Sequence, residues 1–87
     1  MVTIVLPTGW TGGRTEFEGT AGLLPEVIRR FADSHPEYRR RLLGPETELL
    51  RYINYCVDDD LVPRHARSET TVPAGSTVTV IAPMAGG

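Results

Sequence analysis

The residues with the clearest chemical potential lie at the C-terminal end, which runs Val80-Ile81-Ala82-Pro83-Met84-Ala85-Gly86-Gly87. A strand-like apolar segment passes through a proline into Gly86-Gly87 and then stops. This ending presents an unhindered α-carboxylate on a tether, so the sequence predicts that the carboxylate of Gly87 is the reactive group. Glycine suits these positions because it has no Cβ, adopts backbone angles closed to other residues and fits a narrow channel.

The tail is long enough to enter a buried active site of another protein. From Met84 to Gly87 an extended chain spans roughly 13 Å, at about 3.3 Å per residue. Pro83 stiffens the base of the tail and removes a donor from the strand ladder, so we expect the tail to leave the sheet there. We therefore predict a folded domain over residues 1–82 and an extended, flexible tail over 83–87, in which Pro83, Met84, Ala85 and Gly86 contact partner enzymes.

Other residues that could do chemistry have plainer interpretations. Cys56 could be a persulfide or thioester site, but its place inside a predicted strand favours a structural thiol. His35 and His65 have no Cys or carboxylate at metal-ligand spacing. The acidic run 58–60 lacks the spaced ligands and the glycine of a calcium loop, so we interpret it as a turn. The sequence thus predicts no metal and no cofactor bound by this chain.

Length and charge limit the possible functions. A chain of 87 residues forms one domain with a modest core, too small for a deep cofactor pocket. The net charge of −2 gives no electrostatic basis for binding nucleic acid or an anionic membrane. No apolar run approaches the about 18 residues of a membrane span, and no secretory leader is recognisable. We expect a cytoplasmic protein that is monomeric when free.

Hydrophobic patterning predicts an α+β domain. Alternation and β-branched residues predict strands over 2–6, 15–18, 49–57 and 77–82, with a short strand near 61–62. Leu24, Val27, Ile28 and Phe31 form one apolar stripe of a helix that should end near His35, since Pro36 disfavours continuation. A short second helix is expected within 37–43, a loop over 8–13 and a turn over 72–76. The most economical arrangement packs the main helix across a mixed sheet of four or five strands.

One detail of this arrangement can be predicted, and three others stay open. The first and last strands are the most apolar, so we place them side by side in the middle of the sheet. Trp10 either contacts a partner or caps the core. The run Arg39-Arg40-Arg41 is either a solvated face or a docking patch for an acidic partner. Outward-facing apolar residues of the last strands, such as Val78 or Val80, could form a docking surface.

The element order and the Gly-Gly ending resemble the β-grasp, ubiquitin-like sulfur carriers. This family includes the small subunit of molybdopterin synthase, the thiamine sulfur carrier and the carrier of thiocarboxylate-dependent cysteine biosynthesis. The most specific stretch is the polar turn 72–76, the strand 77–81 and the tail 83–87. Two further stretches are similar to the cysteine-biosynthesis branch: Pro7-Thr8 followed by Thr11-Gly12-Gly13, and Ile53-Asn54 leading through Val57 to the acidic turn. Met84 and Ala85 depart from the two small apolar residues that family members often carry.

The resemblance implies a protein co-substrate that is not itself an enzyme. In the family, an adenylating enzyme related to ubiquitin-activating (E1) enzymes uses ATP to convert the terminal carboxylate into an acyl-adenylate. Sulfur then displaces AMP, and the resulting thiocarboxylate donates sulfur to an acceptor held by a synthase. By this resemblance Gly87 carries the sulfur.

Two alternatives make different predictions. A ubiquitin-like modifier would form an isopeptide bond from Gly87 to a lysine of another protein. All nine basic residues of this chain are arginine, which disfavours self-linked chains but leaves single modification open. A non-catalytic binding module would bind its partners equally well after loss of both terminal glycines.

Overall fold

A five-stranded mixed sheet with one main helix across its inner face forms the frame of the protein. The computed structural model describes residues 1–83. The sheet has the order β2-β1-β7-β4-β5, from β1 (Val2–Val5), β2 (Glu16–Gly19), β4 (Asn54–Val57), β5 (Asp60–Leu61) and β7 (Thr77–Ile81). The helices are α1 (Thr8–Thr11), α2 (Leu24–Ser34) and α3 (Arg39–Leu42), with 3₁₀ helices over Pro36–Tyr38 and Arg64–Glu69. The predicted fold class, a β-grasp, is confirmed.

The main helix forms as its apolar spacing predicts. The stripe residues of α2 are all buried, and Pro25 lies in the first turn, where no N–H is needed. The helix ends at Ser34, and the N–H of His35 donates to the carbonyl of Phe31 at 2.9 Å. Burying this stripe against the sheet stabilises the fold, since each fully buried large apolar side chain contributes about 1.5–3 kcal/mol.

Strand β7 is the centre of the sheet and sets which residues face the core. It runs parallel to β1, with Ile4 opposite Val78, and antiparallel to β4, with Tyr55 opposite Val80. The adjacent placement of the first and last strands is therefore confirmed. The expectation that Val78 or Val80 faces outward is wrong, because their register with buried Ile4 and Tyr55 turns both valines into the core.

Several local features differ from the sequence-based expectation. The loop 8–13 contains a helical turn, α1. A second small sheet pairs β3 (Gly22–Leu23) with β6 (Thr71–Val72), and the polar loop after β5 forms a 3₁₀ helix. The strand expected over 49–57 is regular only over Asn54–Val57. Its first half is held by other bonds, among them the N–H of Leu50 to the carbonyl of Leu42 at 3.1 Å.

A buried arginine, Arg67, also holds residues 49–53 in place, the first half of the expected strand. Arg67, in the second 3₁₀ helix, is only 8% exposed. Its guanidinium donates to the carbonyl oxygens of Leu50, at 3.1 Å, and Ile53, and its central carbon lies 5.2 Å from the ring centroid of Tyr55. We call this set of contacts the Arg67 anchor. Burial lowers the pKa of Arg67 and raises the pKa of the Tyr55 phenol well above its usual range.

Candidate functional site

The candidate site is the surface at which the chain leaves the sheet. Strand β7 ends at Ile81, opposite Asn54 of β4. Ala82 is half-buried, and Pro83 is exposed and lies outside the strand. Met84, Ala85, Gly86 and Gly87 lie outside the described residues, so the roles predicted for them stay predictions. The described residues therefore end two positions after the last residue of β7, and the predicted tail over 83–87 stays a prediction.

A groove lies beside the base of the tail. It has a volume of about 290 Å³, and we call it the tail-base groove. It is lined by Trp10, Arg40, Arg41, Tyr52, Ile53, Ala82 and Pro83. Helix α3, helix α1 and the segment before β4 thus converge on the last described residues of the chain.

The short helix α1 puts Trp10 into this groove. Pro7 precedes the helical turn, and Gly12 ends it with a φ of 71°, a left-handed conformation that favours glycine. The N–H of Gly12 donates to the carbonyl of Thr8 at 3.0 Å. Trp10 is half-buried and packs against the core, while part of its surface lines the groove. The interpretation that Trp10 caps the core is therefore confirmed, and a contact with a partner stays a prediction.

The arginine run is divided between an internal ion pair and the groove. Arg39 pairs with Asp33 at 2.5 Å. Arg40 and Arg41 are exposed, and within residues 1–83 neither has an ion-pair partner. The guanidinium carbon of Arg41 lies 5.6 Å from the Trp10 ring centroid, a distance at which a cation is attracted to the ring face. The protein's own packing therefore orients Arg41 along the groove.

The outer face of the sheet includes the exposed side of β7, which ends at Ile81 beside the base of the tail. Thr77, Thr79 and Ile81 alternate with the buried valines, and Ile81 is 41% exposed. Cys56 lies on this face, opposite Thr79 and next to Leu61, which is 61% exposed. Cys56 is half-buried, in agreement with a structural thiol on a strand. The exposed side of β7 therefore leads from threonines to an isoleucine beside the tail base.

The two histidines and the acidic run lie away from the tail base. The His35 ring stacks on Phe31, with centroids 4.4 Å apart, and His65 is exposed in the second 3₁₀ helix. Asp58 has a φ of 56°, and its carboxylate accepts the N–H of Thr77 at 3.1 Å, so it closes the β4–β5 turn. Within residues 1–83 no three His, Cys, Asp or Glu side chains are placed to hold a metal ion.

Arg67 is the residue that sequence reasoning missed. An arginine in a polar loop gives no sequence signal of burial, because its two acceptors are backbone carbonyls 14 and 17 residues away. Within residues 1–83 its Nε and the hydroxyl of Tyr55 are buried without a hydrogen-bond partner. The neighbouring cavity contains Arg29, whose Nε donates to the carbonyl of Thr47 at 2.9 Å. These arginines hold the loop 47–53.

The fold and the tail-bearing central strand define a ubiquitin-like β-grasp protein. The sequence profile of the ThiS family matches residues 10–87. The chain therefore belongs to the ThiS family, a family of β-grasp sulfur carriers, and the resemblance inferred from the sequence is confirmed. No helix within the described residues 1–83 has the length and apolarity that crossing a membrane requires.

Solved structures support the same assignment. A chain in the crystal structure of the Amycolatopsis orientalis BexX/CysO complex is 31% identical, with a TM-score of 0.79 and 100% of both chains covered. CysO of Mycobacterium tuberculosis is 25% identical, with a TM-score of 0.76 over 97% of this chain and 100% of that one. SAMP1 of Haloferax volcanii has a TM-score of 0.76 at 19% identity, covering 99% and 98%, which supports the fold alone. A search of curated proteins gives no significant match.

Proposed function

We propose that the α-carboxylate of Gly87 carries sulfur as a thiocarboxylate. The observation that carries this proposal is the ThiS-family match, which extends through Gly87. It is supported by the geometry of β7, because the central strand of the sheet leads directly into the exposed Pro83. The protein is then a co-substrate, and its chemistry takes place in the active sites of partner enzymes.

The reaction requires activation because a carboxylate is a poor electrophile. A carboxylate oxygen of Gly87 attacks the α-phosphorus of ATP in an E1-like enzyme, and pyrophosphate leaves. Sulfide then attacks the acyl carbon, and AMP leaves with the carbon–oxygen electron pair. If a persulfide is the donor, the same displacement forms an acyl disulfide, and a second thiol must cleave its sulfur–sulfur bond, releasing the thiocarboxylate and forming a disulfide with the donor sulfur. The product holds sulfur in place of one oxygen. The partner enzyme supplies the charge stabilisation for both steps.

The carrier contributes recognition and reach. Since Gly86 and Gly87 have no side chains, they fit a channel that excludes larger residues. The folded domain stays outside that channel and fixes the position at which the tail enters. An acceptor synthase then takes sulfur from the same tail, for cysteine, a cofactor or another sulfur-containing metabolite. The resemblance of the sequence to the cysteine-biosynthesis carriers, together with the similarity to CysO of Mycobacterium tuberculosis, favours an acceptor of the cysteine type.

The adenylation step is tested by ATP–pyrophosphate exchange with an E1-like enzyme. The unmodified chain should support exchange. Deleting Gly87, or adding one residue after it, should abolish exchange while circular dichroism and the unfolding midpoint stay unchanged, because the core residues, Val2 to Val80, are all retained. Exchange that persists at an equal rate after deletion of Gly87 would place the reactive group elsewhere.

A further inference from the structure

We propose that the tail-base groove docks an acidic segment of the activating enzyme, with Arg40 and Arg41 providing the charge and Trp10 and Tyr52 the apolar contact. This inference rests on the proposed function, because it names a surface by which the carrier is recognised while its tail is activated. It extends that function by assigning the recognition to the α1–α3 side of the tail.

The position of the groove is the first argument. Pro83 and Ala82 form part of its lining, and the next residue belongs to the tail. An enzyme that takes Gly87 into its active site must surround residues that begin where the groove ends. Four residues extend at most roughly 13 Å, so the enzyme surface around the tail entrance comes close to the groove.

Charge is the second argument. The protein as a whole carries −2, yet none of the described residues lining the groove is acidic. Arg40 also lines the adjacent cavity with Arg39 and Tyr52, so the positive surface continues beyond the groove. Complementary charge on a partner accelerates encounter and fixes orientation. The occupant of stated chemistry is therefore a stretch rich in Asp and Glu.

The side chains present are the third argument. Trp, Tyr and Arg are the residues most enriched among energetically dominant interface contacts. Tyr52 is 55% exposed, so much of its ring is accessible to another molecule. Arg41 is already oriented by the Trp10 ring, so its conformational entropy is partly lost before binding.

A second cluster of arginines, away from the tail base, provides a control for a general effect of positive charge. Arg29 and Arg67 donate to backbone carbonyls of the protein itself. Arg51 and Arg64 line the same cavity and are exposed, but neither Ala82 nor Pro83 lines it. They provide a matched control, because their reversal changes the net charge by the same amount.

The experiment compares two double charge reversals in the exchange assay. Arg40→Glu with Arg41→Glu should raise the KM for the carrier about tenfold, with kcat within about twofold, because the lost contacts act on binding. The KM of the Arg51→Glu, Arg64→Glu control should stay within about twofold of the original chain. The rise in KM should shrink as salt increases, since salt screens surface charges.

The outcomes separate this inference from the proposed function. No exchange with the original chain would overturn both. Exchange with the original chain but equal KM values for the two double variants would overturn the docking inference alone. A single-stranded oligonucleotide that binds the original chain but not the Arg40/Arg41 variant, with exchange unchanged, would assign the groove to nucleic acid and also overturn it.

Discussion

The Arg67 anchor and the tail-base groove both use the segment 49–53, and they use arginine differently. At the anchor, the guanidinium of Arg67 is buried and donates to two backbone carbonyls of that segment. At the groove, Arg41 is exposed and rests against Trp10, beside Tyr52 and Ile53. The two terminal nitrogens of Arg67 donate within the protein and stabilise the fold. The guanidinium of Arg41 keeps its donors available to another molecule.

The difference gives arginine two roles on one short segment: Arg67 holds its backbone in place, and Arg41 borders the groove for which we propose docking. A docking surface on a loop loses affinity when binding must first order it. The Arg67 anchor orders the loop within the free protein. Since the anchor acts on backbone atoms of Leu50 and Ile53, it fixes the backbone from which the side chains of Tyr52 and Ile53 extend into the groove.

Replacing the anchor should have the largest effect on stability. Arg67→Met preserves much of the side-chain volume but removes the charged donors to the carbonyls of Leu50 and Ile53, of which, within residues 1–83, only the Leu50 carbonyl also accepts a backbone N–H, that of Ile53. We therefore expect the free energy of unfolding to fall by about 2–4 kcal/mol. Urea denaturation measures the loss. Arg64→Met, an exposed neighbour in the same 3₁₀ helix, is the control and should change the free energy by less than about 0.5 kcal/mol. Equal effects of the two substitutions would remove the distinction between anchor and surface.

Replacing the aromatic wall of the groove should affect recognition more than stability. Trp10→Ala removes half-buried apolar area and should lower the free energy of unfolding by about 1–2 kcal/mol. The same variant should raise the KM for the carrier in the exchange assay, whereas Arg67→Met, measured at a temperature where it is folded, should raise it less. A Trp10→Ala variant with an unaltered KM would show that the groove is only part of the core covering.

Alkaline pH tests the buried environment beside the anchor. Burial raises the pKa of Tyr55 in the folded state, while the unfolded state ionises near the ordinary tyrosine pKa of about 10. Above pH 10 the unfolded state has lost a proton that the native state keeps, so stability falls with increasing pH, at most about 1.4 kcal/mol per pH unit for this group.

Tyr55→Phe separates this contribution from those of the other tyrosines. Its hydroxyl has no partner within residues 1–83, so at neutral pH the substitution should be neutral or stabilising by up to about 1 kcal/mol. Above pH 10 the variant should lose less stability than the original chain. Parallel pH profiles from pH 8 to 11, measured by urea denaturation, would contradict the assigned burial of the phenol.

The smallest effect is expected at the exposed ion pair. Arg39 and Asp33 have side chains 41% and 69% exposed, so solvent screens their attraction. Asp33→Asn should change the free energy of unfolding by less than about 0.5 kcal/mol. A loss comparable to that of Arg67→Met would mean that the short run 39–41 is held in place by this pair.

The sequence predicts those parts of the fold that depend on periodic patterns. The apolar residues that recur every three to four positions in α2, and every second position in β7, are buried in the core. Any other secondary structure for these segments would expose some of those apolar side chains to water. The facing of Val78 could not be predicted, since alternation gives two faces and only the register with Ile4 selects one. The burial of Arg67 depends on contacts distant in sequence.

The candidate site was predicted in its location but not in its surroundings. Pro83 and Gly87 mark the tail through residue type alone, since proline and glycine have distinctive backbone chemistry. The groove beside the tail joins residues from 10, 40–41, 52–53 and 82–83, and no local pattern connects them. The alternatives for Arg39-Arg40-Arg41 could be divided residue by residue only once the ion pair of Arg39 was seen.

The most direct test of the account is the intact mass of the protein after incubation with an E1-like enzyme, ATP and a sulfide donor. The account predicts a species heavier by about 16 Da, the difference between sulfur and oxygen at one acyl carbon, with fragmentation placing the added mass at Gly87. The species should be absent without ATP and absent from a chain lacking Gly87. An unchanged mass with an enzyme that performs the exchange reaction, accompanied by Gly-Gly remnants on lysines of other proteins, would contradict a sulfur carrier and indicate a protein modifier.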